Sequence, residues 1–417
     1  MNIDEFIKTV FNVCKEDEEF LGRSRYVDGN VRLGIGANGF VLRFCGGLFT
    51  DVVPESSTVR WDYEVTGPEA EGARIWTGEI DFMEATHPLH GSVRIRGDML
   101  KFAADIEAIA RLARLMPLAA GRLGVDAKLQ PAPPQGKADP WSTRHEVIGR
   151  YTNVAGVRTY YETFGEKGGL TFIGLHSAGR DCRQWQQMAD LLCEVGEFMA
   201  VDFPGHGKSW PLAGGRCLTT PHEMSNFVWS FRRSAGIEGP TVILGCSMGG
   251  NFVFQIAATH PDEVAALVSF EGADFTPEPP ESALLLMDHP RVNPAYYHGA
   301  QSAAVTGKRT AVPQLEYLRW EIRTLSSVTI RADLTAYSRS DFRDQMPKVK
   351  CPALLIRGQD DYLVFAERVE ETAKRLINAP SVELIMPEGV GHYAHVEQPV
   401  ELGRLVLDFL KRHGLIS

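Results

Sequence analysis

The stretch Gly245-Cys246-Ser247-Met248-Gly249-Gly250 follows the apolar run at residues 241–244 and precedes a helix-like segment at 251–258. A strand, the pattern G-x-S-x-G and a helix in immediate succession predict a nucleophile elbow. That turn is too tight for side chains two residues before and after its serine, and the two flanking glycines meet this requirement. The sequence therefore predicts that Ser247 stands exposed at the tip of the turn.

The residue before the serine is a second nucleophile to weigh. Cys246 lies one position off the glycine-flanked centre, where a side chain points into the sheet, and we interpret it as a small buried residue. The helix that follows Ser247 directs backbone N–H groups and a positive dipole end at any oxyanion formed there. This arrangement favours the serine.

Length and charge restrict the class of protein. With 417 residues the chain exceeds a comfortable single domain, and we expect two of unequal size. Its 43 Lys+Arg against 53 Asp+Glu, a net charge of −10, argue against nucleic-acid or anionic-membrane partners. The acidic N-terminus and the lack of any apolar run of spanning length predict a cytoplasmic protein without a secretory signal. Seven scattered cysteines without C-x-x-C predict neither disulfides nor a metal site.

A second glycine pattern, Gly34, Gly36 and Gly39, matches G-x-G-x-x-G. A dinucleotide fingerprint needs a helix after the glycines, whereas residues 40–44 alternate as a strand and Asn38-Gly39 is a hairpin signal. We therefore predict a β-hairpin here and no cofactor.

The N-terminal part has the pattern of an α+β domain, predicted to span residues 1–124. Its signals are a short amphipathic helix at 1–14, β-like alternation at 58–65 and 73–78, a strand near 91–98 and a helix with Phe102, Ile106, Ile109, Leu112 and Met116 on one face.

From about residue 30 to 117 this segment resembles the sterol carrier protein fold. The resemblance is carried by Trp76-Thr77-Gly78, the strand at 92–95 and the Gly97-Asp98 that opens a helix. It implies a small sheet and helices around an apolar ligand tunnel. A structural or dimerisation domain is the alternative, and we expect a homo-oligomer formed through this domain.

Residues 125–141 are Pro-rich and lack hydrophobic periodicity, which predicts a linker. Beyond it, residues 142–417 alternate strands with helices and predict a mostly parallel sheet covered on both faces, with its own core. The predicted strands are 170–175, 198–201, 241–244, 266–270, 353–356 and 382–385. Sites in such sheets lie at the carboxyl ends of the strands.

An acid and a base follow Ser247 along the chain. Strand 353–356 leads into Arg357-Gly358-Gln359-Asp360-Asp361, and strand 382–385 leads to Gly391-His392. The order Ser, Asp, His is that of the α/β-hydrolase fold, which residues 146–417 resemble throughout. Further matching stretches are Leu175-His176-Ser177-Ala178-Gly179 and Asp202-Phe203-Pro204-Gly205-His206-Gly207-Lys208-Ser209.

The resemblance implies a role for each of these side chains. Ser247 corresponds to the family's nucleophile and His392 to its base. Asp361, the third residue after Gly358, corresponds to its acid. Asp360 is the alternative acid. The weaker alternatives to the base are His395, at the start of the last helix, and two histidines that we interpret as stabilisers of loops, His176 and His206.

The oxyanion hole is expected to use the backbone N–H of Met248 and one from the turn after residue 175. The family's usual donor maps onto Ala178. Because Ser177 replaces the family's glycine, the second donor is open between Ser177 and Ala178.

Residues 276–350 are too many for a connector and predict a cap over the site. Their aromatic and aliphatic side chains favour a small-molecule substrate with an apolar portion, and we interpret their arginines as solvated surface.

These features predict a serine hydrolase of a carboxylic ester, lactone or thioester, without cofactor. One alternative keeps the triad but cleaves a carbon–carbon bond in a meta-cleavage-type keto acid, since Ser-Met-Gly-Gly at the elbow resembles that branch of the family. Another is a non-catalytic protein that binds a hydrophobic ligand. The same residues serve all the reactions, so sequence alone does not choose the bond.

Overall fold

The computed structural model describes residues 2–36, 38–55, 58–129, 133–136, 139–167, 169–278, 284–287, 289–324 and 326–417. The chain forms two compact units, Met1–Ala132 with Pro279–Ala304, and Pro133–Glu278 with Val305–Ser417. The division falls inside the predicted linker, of which residues 130–132 and 137–138 lie outside the described residues. Residues 279–304 of the predicted cap belong to the first unit, and cap residues 279–283, 288 and 325 are also outside the described residues.

The helices are α1 Ile3–Glu16, α2 Glu18–Ser24, α3 Glu69–Trp76, α4 Phe82–Ala85, α5 Met99–Arg122, α6 Gln186–Leu192, α7 Pro221–Ser234, α8 Met248–Thr259, α9 Pro294–Ala304, α10 Val312–Glu321, α11 Ser327–Ser338, α12 Ala366–Arg375, α13 Ala394–Glu397 and α14 Pro399–Arg412. The strands are β1 Gly29–Ile35, β2 Asn38–Cys45, β3 Leu48–Pro54, β4 Tyr63–Gly67, β5 Arg94–Gly97, β6 Ile148–Val154, β7 Val157–Phe164, β8 Leu170–Leu175, β9 Gly196–Val201, β10 Thr241–Cys246, β11 Val264–Phe270, β12 Ala353–Ile356 and β13 Val382–Ile385. Among the described residues, every helix is too short or too polar to span a bilayer.

The first unit contains a five-stranded sheet in the order β3-β2-β1-β4-β5. Strand β1 pairs antiparallel with β2, with Gly34 opposite Gly39, so the hairpin predicted at the second glycine pattern is present. The prediction of a strand at 73–78 is wrong, because most of that stretch lies in α3. Gly72, Ile75 and Trp76, at i, i+3 and i+4, form the buried side of this short helix, and two adjacent apolar residues mimicked a strand.

Helix α5 covers this sheet with a long apolar face. Asp98 caps its start by accepting hydrogen bonds from the N–H groups of Leu100 and Lys101, and Phe102, Ile106 and Ile109 are buried. Helix α9 packs against α5, which places a segment from late in the chain in the core of the first unit.

Asp105 on α5 is a buried carboxyl that accepts a hydrogen bond from the Tyr63 hydroxyl at 3.2 Å. Burial raises its pKa to about 6, despite the nearby charge of Lys101. A carboxyl whose folded pKa exceeds its unfolded value makes stability fall as pH rises between the two values. We expect Asp105→Asn to leave stability unchanged near pH 3 and to stabilise the first unit at pH 7, on the order of 1–3 kcal/mol.

Urea unfolding of both proteins from pH 3 to 7, followed by amide exchange on α5, measures this difference. A stability gain that is the same at pH 3 and pH 7 would contradict the assigned cause. The exposed carboxyl of Asp126 is the control, and Asp126→Asn should change little at either pH.

The second unit is built on an eight-stranded sheet in the order β13-β12-β11-β10-β8-β9-β7-β6. The six strands from β13 to β9 pair in parallel, and β7 and β6 add antiparallel edge strands. Buried side chains form two cores, one with Phe252 and Phe231 and the other with Trp185 and Phe409. The predicted mostly parallel sheet with helices on both faces is confirmed, and the carboxyl ends of β8, β10, β11, β12 and β13 meet along one edge.

Candidate active site

Strand β10 ends at Cys246 and helix α8 begins at Met248, which leaves Ser247 alone in the turn with φ 54° and ψ −114°. A non-glycine residue with positive φ is strained, and such strain is held in place by its surroundings. A Cβ at Gly249 would lie 2.5 Å from the Leu175 carbonyl oxygen, and one at Gly245 would overlap the Gly249 carbonyl. Ser247 N–H also donates to Phe270 O at 2.8 Å. The backbone therefore fixes the direction of the serine.

We expect Gly245→Ala to destabilise the second unit by about 1–3 kcal/mol or more, because the added methyl meets rigid backbone. Gly239→Ala is the matched control: no atom lies within 4 Å of its built Cβ, and we expect a change within about 0.5 kcal/mol. Chemical denaturation of both variants measures the difference. Equal stability of the two variants would show that the close approach at the elbow is not required.

Ser247, His392 and Asp361 come together at the carboxyl edge of the sheet. His392 Nε2 lies 2.9 Å from Ser247 Oγ, and Nδ1 lies 2.8 Å from Asp361 Oδ2. All three residues are buried, with Ser247 retaining 7% of its surface. With Nδ1–H donating to the carboxylate, the other ring nitrogen is free to accept the serine proton.

Asp361 is held as an anion by its neighbours. Burial alone would raise its pKa, but the charge of His392 and hydrogen bonds from His392, Glu271 and the N–H of Leu363 outweigh burial and lower it. The Leu363 N–H donates to Oδ1 at 2.7 Å. A fixed carboxylate opposite Nδ1 stabilises the imidazolium that forms when the ring takes a proton.

The alternative acids have other partners. The N–H of Lys308 donates to Asp360 Oδ2 at 2.9 Å. Asp274, a second aspartate to consider because it lies in the loop after β11, binds the Arg375 guanidinium with contacts of 2.6 and 2.9 Å. Neither carboxylate contacts His392 among the described residues.

The other histidines of the sequence motifs lie in packed loops. His395 is fully buried against Trp185, and burial lowers its pKa to about 3. Burial likewise lowers the pKa of His176 to about 4, so its ring is neutral, with Nδ1–H donating to Ser177 O at 2.8 Å. His206 Nε2 contacts Asp333 Oδ2 at 2.8 Å. Burial opposes its protonation, but the Asp333 carboxylate outweighs burial and raises the pKa of His206.

The turn after β8 distinguishes the two predicted oxyanion donors. The N–H of Ser177 already donates to Gln184 Oε1 at 3.0 Å, and that of Gly179 donates to Asp333 Oδ2 at 2.6 Å. In the part of the chain that the structure describes, no acceptor contacts the N–H of Ala178 or Met248. The close approach of Gly249 to the Leu175 carbonyl brings the helix start and this turn together. Of the two predicted donors, only Ala178 has an available N–H.

Two acidic residues at this edge were missed in the sequence. Glu271 follows β11 directly, is fully buried and lies beside the Asp361 carboxyl. Asp333, on α11, joins the turn after β8 to His206. Glu271 follows an apolar strand, which is the signal that identified the other residues, whereas Asp333 lies inside a helix and has no such signal.

A cluster of metal-ligand type lies beside the site. Three residues, Asp181, Cys182 and Asp202, each offer one potential ligand atom, and these atoms lie within 4.8 Å of one another. These groups are already bonded to protein: Asp181 pairs with Arg183, and Asp202 accepts from the N–H of Cys182 at 2.7 Å. Burial raises the pKa of the Cys182 thiol, which disfavours the thiolate that a metal requires. We therefore interpret these three residues as part of a structural hydrogen-bond network and not as a metal site.

A family model described as alpha/beta hydrolase fold matches residues 171–399. The chain belongs to this family. The α/β-hydrolase region includes the elbow, the acid loop and the histidine loop described above.

Relatives of this α/β-hydrolase have several named activities. A 2-hydroxy-6-oxononadienedioate/2-hydroxy-6-oxononatrienedioate hydrolase of Burkholderia vietnamiensis is 27% identical, over 63% of this chain and 96% of that protein. A pimeloyl-[acyl-carrier protein] methyl ester esterase of Yersinia enterocolitica is 25% identical, over 61% of this chain and 97% of the relative. A dihydrolipoyllysine-residue acetyltransferase component of the acetoin cleaving system of Cupriavidus necator is 30% identical, but the match covers only 46% of each chain.

Solved structures show the same fold. The enol-lactonase from Burkholderia xenovorans LB400 superposes with a TM-score of 0.56 at 20% identity, covering 63% of this chain and all of that one. Family membership and these relatives support hydrolytic chemistry and leave the bond to be cleaved open.

Proposed function

We propose that this α/β-hydrolase is a serine hydrolase that cleaves a carboxylic ester, lactone or thioester through Ser247, His392 and Asp361. The observation that carries the proposal is the His392 ring, with Nε2 2.9 Å from Ser247 Oγ and Nδ1 2.8 Å from Asp361 Oδ2. A serine hydroxyl becomes a competent nucleophile when a base takes its proton, and a base in this geometry needs an orienting acid.

The reaction proceeds in two halves. His392 Nε2 takes the Ser247 proton as Oγ attacks the carbonyl carbon, and the imidazolium then donates that proton to the departing alcohol or thiol. Water, deprotonated by the same ring nitrogen, attacks the acyl-enzyme and releases the acid. Asp361 keeps the Nδ1 proton in place and stabilises the imidazolium in both halves.

The developing oxyanion is stabilised by backbone groups. Met248 N–H at the start of α8 and Ala178 N–H in the turn after β8 are the donors, since the Ser177 N–H donates to Gln184 instead. One such donor contributes about 3–4 kcal/mol to the transition state in other hydrolases. These N–H groups are held by the elbow and by the Gly179–Asp333 hydrogen bond, so little reorganisation is needed when charge develops.

The substrate has an apolar portion. Helices α10 and α11 supply the described part of the cap in the second unit, where Tyr317, Leu318 and Ile330 are buried apolar residues. No metal or cofactor is needed for this chemistry.

The second candidate keeps the same three residues but hydrolyses a carbon–carbon bond in a vinylogous keto acid. It is favoured by the identity with the dienedioate hydrolase, which extends over nearly all of that relative. The test is a panel of p-nitrophenyl esters of increasing acyl length, an enol-lactone and a 2-hydroxy-6-oxo-dienoate. Turnover of esters alone supports the first proposal, and exclusive turnover of the dienoate supports the second.

A non-catalytic binding protein would turn over none of these compounds and would not react with a fluorophosphonate at Ser247. Covalent labelling of the wild type, located at Ser247 by peptide mass analysis, contradicts the binding-protein alternative. The absence of both labelling and turnover would contradict the proposal that the protein is a hydrolase.

A further inference from the structure

Glu271 is a fully buried carboxyl whose position is fixed by its backbone. It follows the last residue of β11 and has a positive φ of 50°, and its N–H donates to Ile356 O at 2.9 Å. Gly358 N–H donates to its Oε1 at 2.6 Å. Both contacts tie the residue to β12 and to the loop that contains Asp361.

The surroundings of Glu271 supply too few donors for a buried anion. Oε1 accepts one hydrogen bond, from the Gly358 N–H. Among the described residues, no donor contacts Oε2. The side chain instead lies beside the Asp361 carboxyl, close enough for the two groups to share a hydrogen bond. Two ionised carboxylates only accept hydrogen bonds, so a contact between them requires one proton.

That proton belongs to Glu271. Asp361 receives hydrogen bonds from His392 Nδ1 and the N–H of Leu363, which stabilise its charge. Burial, and then the charge of Asp361, raise the pKa of Glu271 well above its usual range. The Arg357 guanidinium acts to lower this pKa, but its effect is smaller than that of burial. The buried Cys246 thiol also lies near Glu271 among the described residues.

We propose that Glu271 is a positioning residue whose carboxylic acid donates a hydrogen bond from Oε2 to Asp361 and so fixes the carboxylate that orients His392. The inference rests on the roles proposed above for Asp361 and His392. It deepens them, because the acid of the triad is then held by a neutral carboxyl from the neighbouring strand end, in addition to backbone N–H groups.

The first test compares Glu271→Gln with Glu271→Leu. The Gln amide donates to Asp361 and accepts from Gly358 as a neutral acid does, so kcat for p-nitrophenyl acetate should stay within a few-fold of wild type. Leu keeps the volume and removes the donor. We expect kcat to fall about 10- to 100-fold, as for loss of one charge-assisted hydrogen bond, with KM nearly unchanged.

The pH profile separates a neutral from an ionised Glu271. If the carboxyl is neutral, Glu271→Gln removes no charge and the acidic limb of kcat/KM stays in place. An ionised Glu271 would stabilise the imidazolium, and its loss would move that limb to lower pH. A limb that moves in the Gln variant, or a Gln variant as slow as the Leu variant, would overturn the proposal, as would a Leu variant with wild-type kcat.

Infrared spectroscopy tests whether the Glu271 carboxyl is protonated, and it needs no substrate. The infrared difference between wild type and Glu271→Gln at pH 7 should contain the carbonyl stretch of a protonated carboxylic acid, whereas an ionised Glu271 gives a carboxylate band only. Glu321, whose pKa burial raises to about 8, contributes equally to both spectra and cancels. This measurement compares only wild type and Glu271→Gln, so it remains possible if the Leu variant fails to fold. A protein that cleaves no tested ester yet shows the acid band would contradict the proposed function and still support a protonated Glu271 carboxyl beside Asp361.

Discussion

Ser247→Ala is expected to reduce kcat by about 10⁶-fold, the scale measured when the nucleophile of a serine protease triad is removed. The hydroxyl supplies the attacking atom and lies 2.9 Å from His392 Nε2, while the backbone of the turn is held by hydrogen bonds that the substitution does not touch. Stability should therefore change by less than about 1 kcal/mol. Steady-state kinetics, with thermal unfolding measured in parallel, checks both statements.

Cys246→Ser is the matched control at the neighbouring position. The Cys246 side chain is buried and its Sγ donates to His392 O at 3.5 Å, a contact that a serine hydroxyl can also make. Burial raises the pKa of this thiol, so it is a poor source of thiolate. We expect substantial activity in this variant. If Cys246→Ser were inactive and Ser247→Ala active, the nucleophile would be the cysteine.

Asp361→Asn is expected to lower kcat by about 10⁴-fold, as for the corresponding change in a serine protease triad. An amide that donates to His392 Nδ1 imposes the wrong tautomer, which leaves Nε2 protonated and unable to accept the Ser247 proton. We expect this loss in kcat with KM nearly unchanged. Steady-state kinetics across the pH range measures it.

Asp360→Asn tests the assignment one residue away. That carboxylate accepts from the N–H of Lys308 and lies outside the contacts of His392, so we expect a loss of less than about tenfold. A larger loss in the Asp360 variant than in the Asp361 variant would place the acid at 360. An equally small loss in both variants would mean that another group orients the imidazole.

The sheet of the second unit was predictable because each of its inner strands is a short apolar run followed by a turn with special chemistry. In a parallel sheet those turns meet at one edge, so their order along the chain was enough to bring Ser247, Asp361 and His392 to the same place. The choice between Ser177 and Ala178 was not predictable, because it depends on where the Gln184 side chain points.

Contacts between distant segments explain the rest of what sequence reasoning missed. Glu271 lies beside Asp361, which is ninety residues away in the chain, and Asp333 of α11 accepts a hydrogen bond from the turn after β8. Neither pairing has a local pattern, because each depends on how separate elements pack. The same holds for α9, whose apolar residues read as part of a cap and instead pack against α5.

The position of α9 in the first unit has a consequence for how the chain is made. Chains emerge from the ribosome N-terminus first at about 5–20 residues per second, and domains usually fold as they emerge. Here roughly 170 residues separate Ala132 from Ala304, so the face of α5 that α9 covers stays uncovered for on the order of ten seconds or more. During that time the ribosome produces β6 to β11 and the nucleophile elbow. The small unit is thus begun first and completed only after most of the large sheet has been synthesised.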